Sequence, residues 1–142
     1  VVAFVELIAQ FLKEGKIHTE KNIAEKLTYH DPCQVARNGG VYEDPRYVIH
    51  QIASDLQELT PNREMNWCCG GGGGLVAMGE MEFRMKSSRV KAEQVKASGA
   101  GMICTICENC HSQLTDLNEH YELGMKVESL ANLVAHALIP QQ

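Results

Sequence analysis

The chain contains no apolar run able to cross a bilayer. Its longest, residues 1–5, falls far short of the roughly 20 residues that a spanning helix needs. It opens with no charged segment followed by an apolar core and a small-residue cleavage site, so no secretory signal is visible and the cysteines are read in a reducing context. No basic cluster is present either. Thirteen Lys+Arg stand against eighteen Asp+Glu, a formal net charge of -5. Without a positive patch there is nothing to hold a nucleic-acid backbone, and nucleic acid is excluded as a partner. No repeat or low-complexity tract occurs beyond one run of glycines. Neither a Gly-Lys-Ser/Thr phosphate loop nor a GxGxxG fingerprint with its ribose-binding acid is found. The first residue is Val1 rather than Met, so the chain is expected to be a fragment of a longer protein.

What is there is an ordinary globular composition. The chain has 142 residues, 44% hydrophobic and 22% charged, the size of a single domain spanning residues 1–142. A domain of this length buries enough surface to fold without cross-links. Against that background the cysteines and glycines stand out. The cysteines are Cys33, Cys68, Cys69, Cys104, Cys107 and Cys110, and five glycines are consecutive from Gly70 to Gly74. Adjacent Cys68 and Cys69 would pair only through a strained disulfide. Metal binding or redox chemistry is the better reading of thiols so clustered.

The hydrophobic pattern places these residues. Residues 1–12 predict a buried helix ending near Gly15, and the polar stretch 19–25 adds a helical turn. Residues 26–30 read as a strand that Asp31-Pro32-Cys33 breaks. Asp44 and Pro45 open a helix with apolar residues at Val48, Ile49, Ile52, Leu56 and Leu59. Residues 64–67 read as a second strand and 75–98 as helix in pieces, stopped at Gly99. Residues 101–105 form a third strand, Cys107 and Cys110 open a helix, 125–127 form a fourth strand, and Ser129 caps a last helix. The alternation predicts an α/β fold: a small parallel sheet of about four strands with helices on both faces. Every cysteine group then follows a strand. All three groups are expected to meet in loops at the C-terminal edge of the sheet, where helix N-termini favour thiolates.

Cys33 and Cys68 are separated by 34 residues, and Cys69 and Cys107 by 37. The last group is a Cys-x-x-Cys at a helix start, which puts both sulfurs on one side. Thiolates suit zinc and iron–sulfur clusters, and five converging thiolates exceed the four that one structural zinc takes. Buried small hydrophobes would account for one or two such cysteines, not for five. Cys104 lies inside a strand and is read as one of those buried residues. Gly70, Gly71 and Gly72 are candidate cofactor contacts, because glycine lets the backbone approach closely and its amides can donate to sulfur. The later glycines read equally well as a loose loop. His30 and Arg37 are the candidate catalytic groups. His30 would donate a hydrogen bond or proton, against a core role; Arg37 would offset negative charge, against a surface salt bridge. His111 is a weaker candidate, and His18, His50, His120 and His136 read as ordinary positions.

The segments YHDPCQVARNGGVYEDPRYVI, NWCCGGGGG and ICTICENC together resemble the cysteine-rich CCG domain of the heterodisulfide reductase catalytic subunit family. Relatives of that family include membrane-complex subunits of sulfate reducers and the iron–sulfur subunits of glycolate, lactate and glycerol-3-phosphate oxidation. The resemblance is strong from Tyr29 to Cys110. It implies an α/β domain whose Cys33, Cys68, Cys69, Cys107 and Cys110 hold an iron–sulfur cluster. In heterodisulfide reductase this is a non-cubane 4Fe–4S type that cleaves a disulfide. Cys104 falls outside the family pattern, and Glu108 stands where members usually have proline. Many members carry two such domains or upstream ferredoxin-like motifs; this chain shows one domain and no such motif. Some copies of the domain bind zinc.

The resemblance implies a redox domain in which electron transfer is coupled to thiol/disulfide or quinone-linked oxidoreduction. It would be cytoplasmic or peripheral to a membrane redox complex. Its expected partners are other iron–sulfur or membrane redox subunits, with a small thiol or disulfide as substrate. The competing readings are a zinc-binding structural or interaction module using the same cysteines, and a metal-free dithiol oxidoreductase.

Overall fold

Three short parallel strands form the sheet: β1 (Leu27–Tyr29), β2 (Met102–Thr105) and β3 (Lys126–Ser129), in the order β1-β2-β3. The structure is a computed structural model and describes residues 1–140. The register pairs Tyr29 with Cys104 and Thr105 with Ser129, so all three strands end at one edge. Seven α-helices accompany them among the described residues: α1 (Phe4–Lys13), α2 (Glu43–Ile52), α3 (Leu75–Met78), α4 (Met81–Ser87), α5 (Arg89–Ala97), α6 (Glu108–His120) and α7 (Leu130–Ala137).

The central strand shows how the core is divided. All four residues of β2 are buried, yet Met102 and Cys104 pack in one hydrophobic cluster and Ile103 in another. Successive side chains of a strand point to opposite faces, so the two clusters lie on the two sides of the sheet. The first takes Val5 and Ile8 of α1, Val48, Ile49 and Ile52 of α2, and Leu130, Leu133 and Val134 of α7. The second takes Met85 of α4, Ala92 and Val95 of α5, and Leu114 and Leu117 of α6. Each set repeats at three- and four-residue spacing, the stripe an amphipathic helix turns inward. Helices therefore cover both faces of a sheet too small to shield itself.

The sheet has three strands rather than about four, and the missing one is residues 64–67. Arg63–Met65 makes a single 3-10 turn instead. Polar partners draw it off: Arg63 N–H donates to Asp31 Oδ2 at 2.8 Å, the Glu64 carbonyl accepts from Arg37 at 2.9 Å, and the Asn66 side chain donates to the Asp31 carbonyl at 2.6 Å. The outer neighbour of β1 is the stretch after α2. It touches through isolated parallel bridges, Ile23 with Ala53 and Leu27 with Leu56. The helix expected to run on to Leu59 stops at Ile52, which frees that stretch to extend. Residues 19–25 likewise contribute bridges, not a helical turn.

One buried ion pair fastens the end of β1. The Asp31 carboxylate accepts two bonds from the Arg46 guanidinium of α2, each 2.9 Å, with side-chain exposures of 1% and 4%. Arg46 also donates to Glu58 at 2.6 and 2.9 Å and to the Tyr42 carbonyl at 2.7 Å. Removing one partner of such a pair strands a buried charge, which typically costs about 3–5 kcal/mol. Asp31→Asn is therefore expected to lower unfolding stability by about that much, measured by urea melts of the metal-free chain. A loss below about 1 kcal/mol would show that the pair is not what holds this end of the strand.

Candidate metal centre

The first cysteine follows β1 directly. His30 prolongs the ladder: its N–H donates to the Cys104 carbonyl at 2.9 Å and its carbonyl accepts from Thr105 Oγ1 at 3.2 Å. Pro32 then turns the chain, and its carbonyl accepts from Ala36 N–H at 2.8 Å as the wide helical turn Gln34–Asn38 begins at Cys33. The last pair follows β2. Cys107 is the extended N-cap of α6, and Cys110 lies one turn in and is buried with Gln113, Leu114 and Leu117. Cys68 and Cys69 arrive differently, off the Arg63–Met65 turn and not off a strand. Arg37 ties that turn to the Cys33 loop: its guanidinium donates to the Glu64 carbonyl at 2.9 Å and to the Asn66 carbonyl.

These routes converge. Cys33, Cys68, Cys69, Cys107 and Cys110 line one cleft of about 220 Å³ beyond the strand ends. Cys69 Sγ and Cys110 Sγ are 3.3 Å apart. Cys68 interacts with Cys33 and with Cys69, so four of the five thiols form a continuous chain. Crowding and burial raise the pKa values of Cys33, Cys68 and Cys69. The Cys68 thiol is pushed far up, chiefly by its neighbour Cys69 and then by burial. The Cys69 thiol is pushed up to about 12, chiefly by Cys110. Cys33 is raised by burial first and by Cys68 second, with Arg37 pulling the other way. Thiols that cannot ionise together unaided are the donor set a multivalent cation draws together, since the metal supplies the charge that the thiolates need. Cys104 packs in the α1–α2–α7 cluster, on the other face of β2 from Ile103, and does not line the cleft.

The glycines split into two kinds. Gly70 N–H lies 3.3 Å from Cys68 Sγ and Gly71 N–H 3.5 Å from Cys69 Sγ, each directed at the sulfur. Both are packed tightly: a Cβ at Gly70 would sit 1.9 Å from Ser88 Oγ, and one at Gly71 would sit 2.8 Å from the Gln113 side chain. Gly72 and Gly73 line the cleft, and a Cβ at either would meet nothing within 4 Å.

His30 is fully buried, and burial holds its pKa well below the usual histidine range. Its nitrogens and the sulfurs of Cys69 and Cys110 include one ligand atom each within 4.8 Å of the others. Nδ1 is 3.5 Å from the Asn66 amide nitrogen, and Nε2 has no hydrogen-bond partner among the described residues. His111 lies 4.0 Å from Glu108 at the partly exposed side of α6. Two residues that the sequence did not single out complete the site. Asn66 reaches Asp31, His30 and Lys91, and Lys91 is a lysine with 1% exposure whose ammonium donates to Asn66 Oδ1 at 2.9 Å. Lys91 shares the inward face of α5 with Ala92 and Val95. That spacing was the one available signal.

A family model described as a cysteine-rich domain, CCG, matches residues 27–115. A subunit of the dihydromethanophenazine:CoB–CoM heterodisulfide reductase from Methanosarcina mazei is 36% identical over 140 residues, covering 97% of this chain and 34% of that protein. The Hdr-like menaquinol oxidoreductase iron-sulfur subunit 2 of Archaeoglobus fulgidus is 28% identical, covering 97% of this chain and 26% of that protein. The EtfAB:quinone oxidoreductase of Syntrophomonas wolfei is 30% identical over 122 residues, 82% of this chain and 17% of that protein. The chain thus spans about a third or less of the length of these three relatives. No solved structure matches it.

The packing difference along the glycine run gives a direct test. Gly70 has φ +90° and no room for a methyl group. Gly70→Ala is expected to cost more than about 2 kcal/mol, from left-handed strain and overpacking together. Gly72→Ala should stay within about 0.5 kcal/mol, as at other open positions. Equal effects of the two in urea melts would remove the distinction.

Proposed function

The chain belongs to the CCG cysteine-rich domain family, and we propose that it is the iron–sulfur redox domain of a heterodisulfide-reductase-like protein. The observation that carries this reading is the convergence of five thiols from three segments on one open cleft. The residues fit a cluster. Cys33, Cys68, Cys69, Cys107 and Cys110 would hold it, more thiolates than one zinc ion takes. The amides of Gly70 and Gly71, already directed at Cys68 and Cys69, would tune it by hydrogen bonding. When bound, such a cluster supplies one-electron oxidation and reduction, with a potential set by charge, hydrogen bonds and exposure. The non-cubane 4Fe–4S form is the type proposed here.

The protein's own part in the reaction is to shape and orient. The cleft is open beside Gly72 and Gly73, where no side chain blocks the approach of a small thiol or disulfide. His30, enclosed and held neutral by burial, would fix the Cys69–Cys110 side and offer a hydrogen bond from its unpartnered Nε2. Arg37 would stabilise charge near Cys33 while joining the first two cysteine loops. Electrons would pass to or from neighbouring iron–sulfur or membrane redox subunits, a reading supported by two relatives whose names mark them as subunits of oxidoreductases. No helix among the described residues is long and apolar enough to cross a membrane. Peripheral association through those partners is the arrangement proposed.

A zinc module is the second reading, favoured by the compact grouping of His30, Cys69 and Cys110. Metal analysis separates the two. Anaerobic reconstitution is expected to give about four iron and four acid-labile sulfide per chain, with broad visible absorption. Cys69→Ser and Cys110→Ser should lose most of that iron, and Cys104→Ser should keep it. Stoichiometric zinc without sulfide in the reconstituted wild type would sink the cluster reading. Loss of iron in Cys104→Ser with retention in Cys69→Ser would overturn the ligand assignment.

A further inference from the structure

Lys91 is a buried lysine without a carboxylate. Its ammonium donates to Asn66 Oδ1 at 2.9 Å and to Gln94 Oε1, both neutral amides, and no carboxylate lies within ion-pair distance of it among the described residues. A cation taken out of water is costly unless an opposite charge compensates it, so charged lysines are almost never found fully enclosed and unpaired. The other buried cations of this chain obey that rule: Arg46 has Asp31 and Glu58, and Arg84 has Asp116 at 2.7 Å. Two polar side chains link Lys91 to the thiol cluster. Asn66, which holds the ammonium, also donates to the Asp31 carbonyl and stands 3.5 Å from His30 Nδ1, and His30 in turn adjoins Cys69 and Cys110.

We propose that Lys91 is the built-in counter-cation of the metal centre, a positioning residue whose fixed charge acts through Asn66 and His30 on the Cys69–Cys110 side. The proposal rests on the reading that those thiolates hold an anionic metal group. Two further observations agree with it. The polar chain that begins at Lys91 ends on His30, which is grouped with Cys69 and Cys110 and keeps its buried Nε2 without a hydrogen-bond partner. Burial lowers the Lys91 pKa to about 8, while Cys69, Asp31, Cys68 and Cys110 all act to raise it, so negative charge at the cysteines is what would keep the lysine charged. The consequence is directional. A positive charge behind the cluster favours its more negative, reduced state, and it favours any thiolate–metal complex over free thiols.

The test uses the full chain with Lys91→Met, which keeps the length and removes the charge. Lys91→Gln is the second variant; it retains a hydrogen-bonding end beside Asn66 and Gln94 should the methionine fail to fold. In the reconstituted protein, the reduced-to-oxidised ratio at a fixed ambient potential should fall about tenfold, a midpoint about 59 mV more negative for one electron. In separate samples without iron, zinc affinity by chelator competition should fall about tenfold. A merely structural lysine would lower the melting temperature of loaded and metal-free protein alike and leave both quantities unmoved; that result overturns the proposal. If the wild type takes zinc but never iron and sulfide, the cluster reading fails while the zinc arm still decides the role of Lys91. A wild type that binds neither metal ends both.

Discussion

The loops that carry Cys33, Cys68 and Cys69 hang on the enclosed contact between Asp31 and Arg46. The carboxylate sits two residues before Cys33 and takes both guanidinium bonds from α2. It also receives the Arg63 amide, and its backbone carbonyl receives Asn66. One acidic residue thus sets the end of β1, the roll of α2 against the sheet, and the turn that delivers Cys68 and Cys69. A pair so enclosed contributes little net stability compared with an apolar substitute, because desolvation consumes most of the attraction. What it contributes is placement. Two loops that share no strand pairing are held to one anchor, and thiols from distant parts of the chain come to line one cleft.

The parts of this arrangement legible in the sequence are those written in local chemistry. Cys107 and Cys110 open a helix because an extended residue followed by a three-residue step on an amphipathic run can do little else, and α6 begins there. Cys104 could be set apart because a strand alternates, and β2 does place it on the opposite face from Ile103. The expectation failed where tertiary polar contacts overrule propensity. Glu64-Met65-Asn66-Trp67 has the look of a strand. Its neighbourhood is instead claimed by Asp31, Arg37 and Lys91, and the chain turns. Leu56 and Leu59 fit the period of α2, but the helix ends at Ile52 and the two leave it, Leu59 for the opposite core. Lys91 was missed for a different reason, although its spacing from Val95 was a faint signal. A lysine among Arg89, Lys96 and Glu93 looks like solvent-facing helix, and only the folded chain shows that this one faces inward.

The glycine run divides the labour at the cleft in a way composition alone would hide. Gly70 and Gly71 are glycines because Ser88 and Gln113 leave no space for anything else, and that tight packing aims their amides at two sulfurs. A side chain on the later members would meet nothing within 4 Å, and Gly72 and Gly73 leave the cleft unscreened. A single homopolymeric stretch thus serves as both wall and doorway. The change of role falls between Gly71 and Gly72.

The distribution of the thiols along the chain also sets the order in which the centre can come into being. Three segments supply them, with 34 and 37 residues between successive groups. An unfolded chain therefore offers each ion one or two sulfurs at a time, and the loops would have to close against their own entropy before a third could join. Multidentate capture belongs to the folded protein alone. A metal held by all three groups would then be the last component to arrive, after α6 has been made and docked, and the free energy of its capture would add to the stability of the fold. Occupancy and foldedness become two readouts of the same equilibrium.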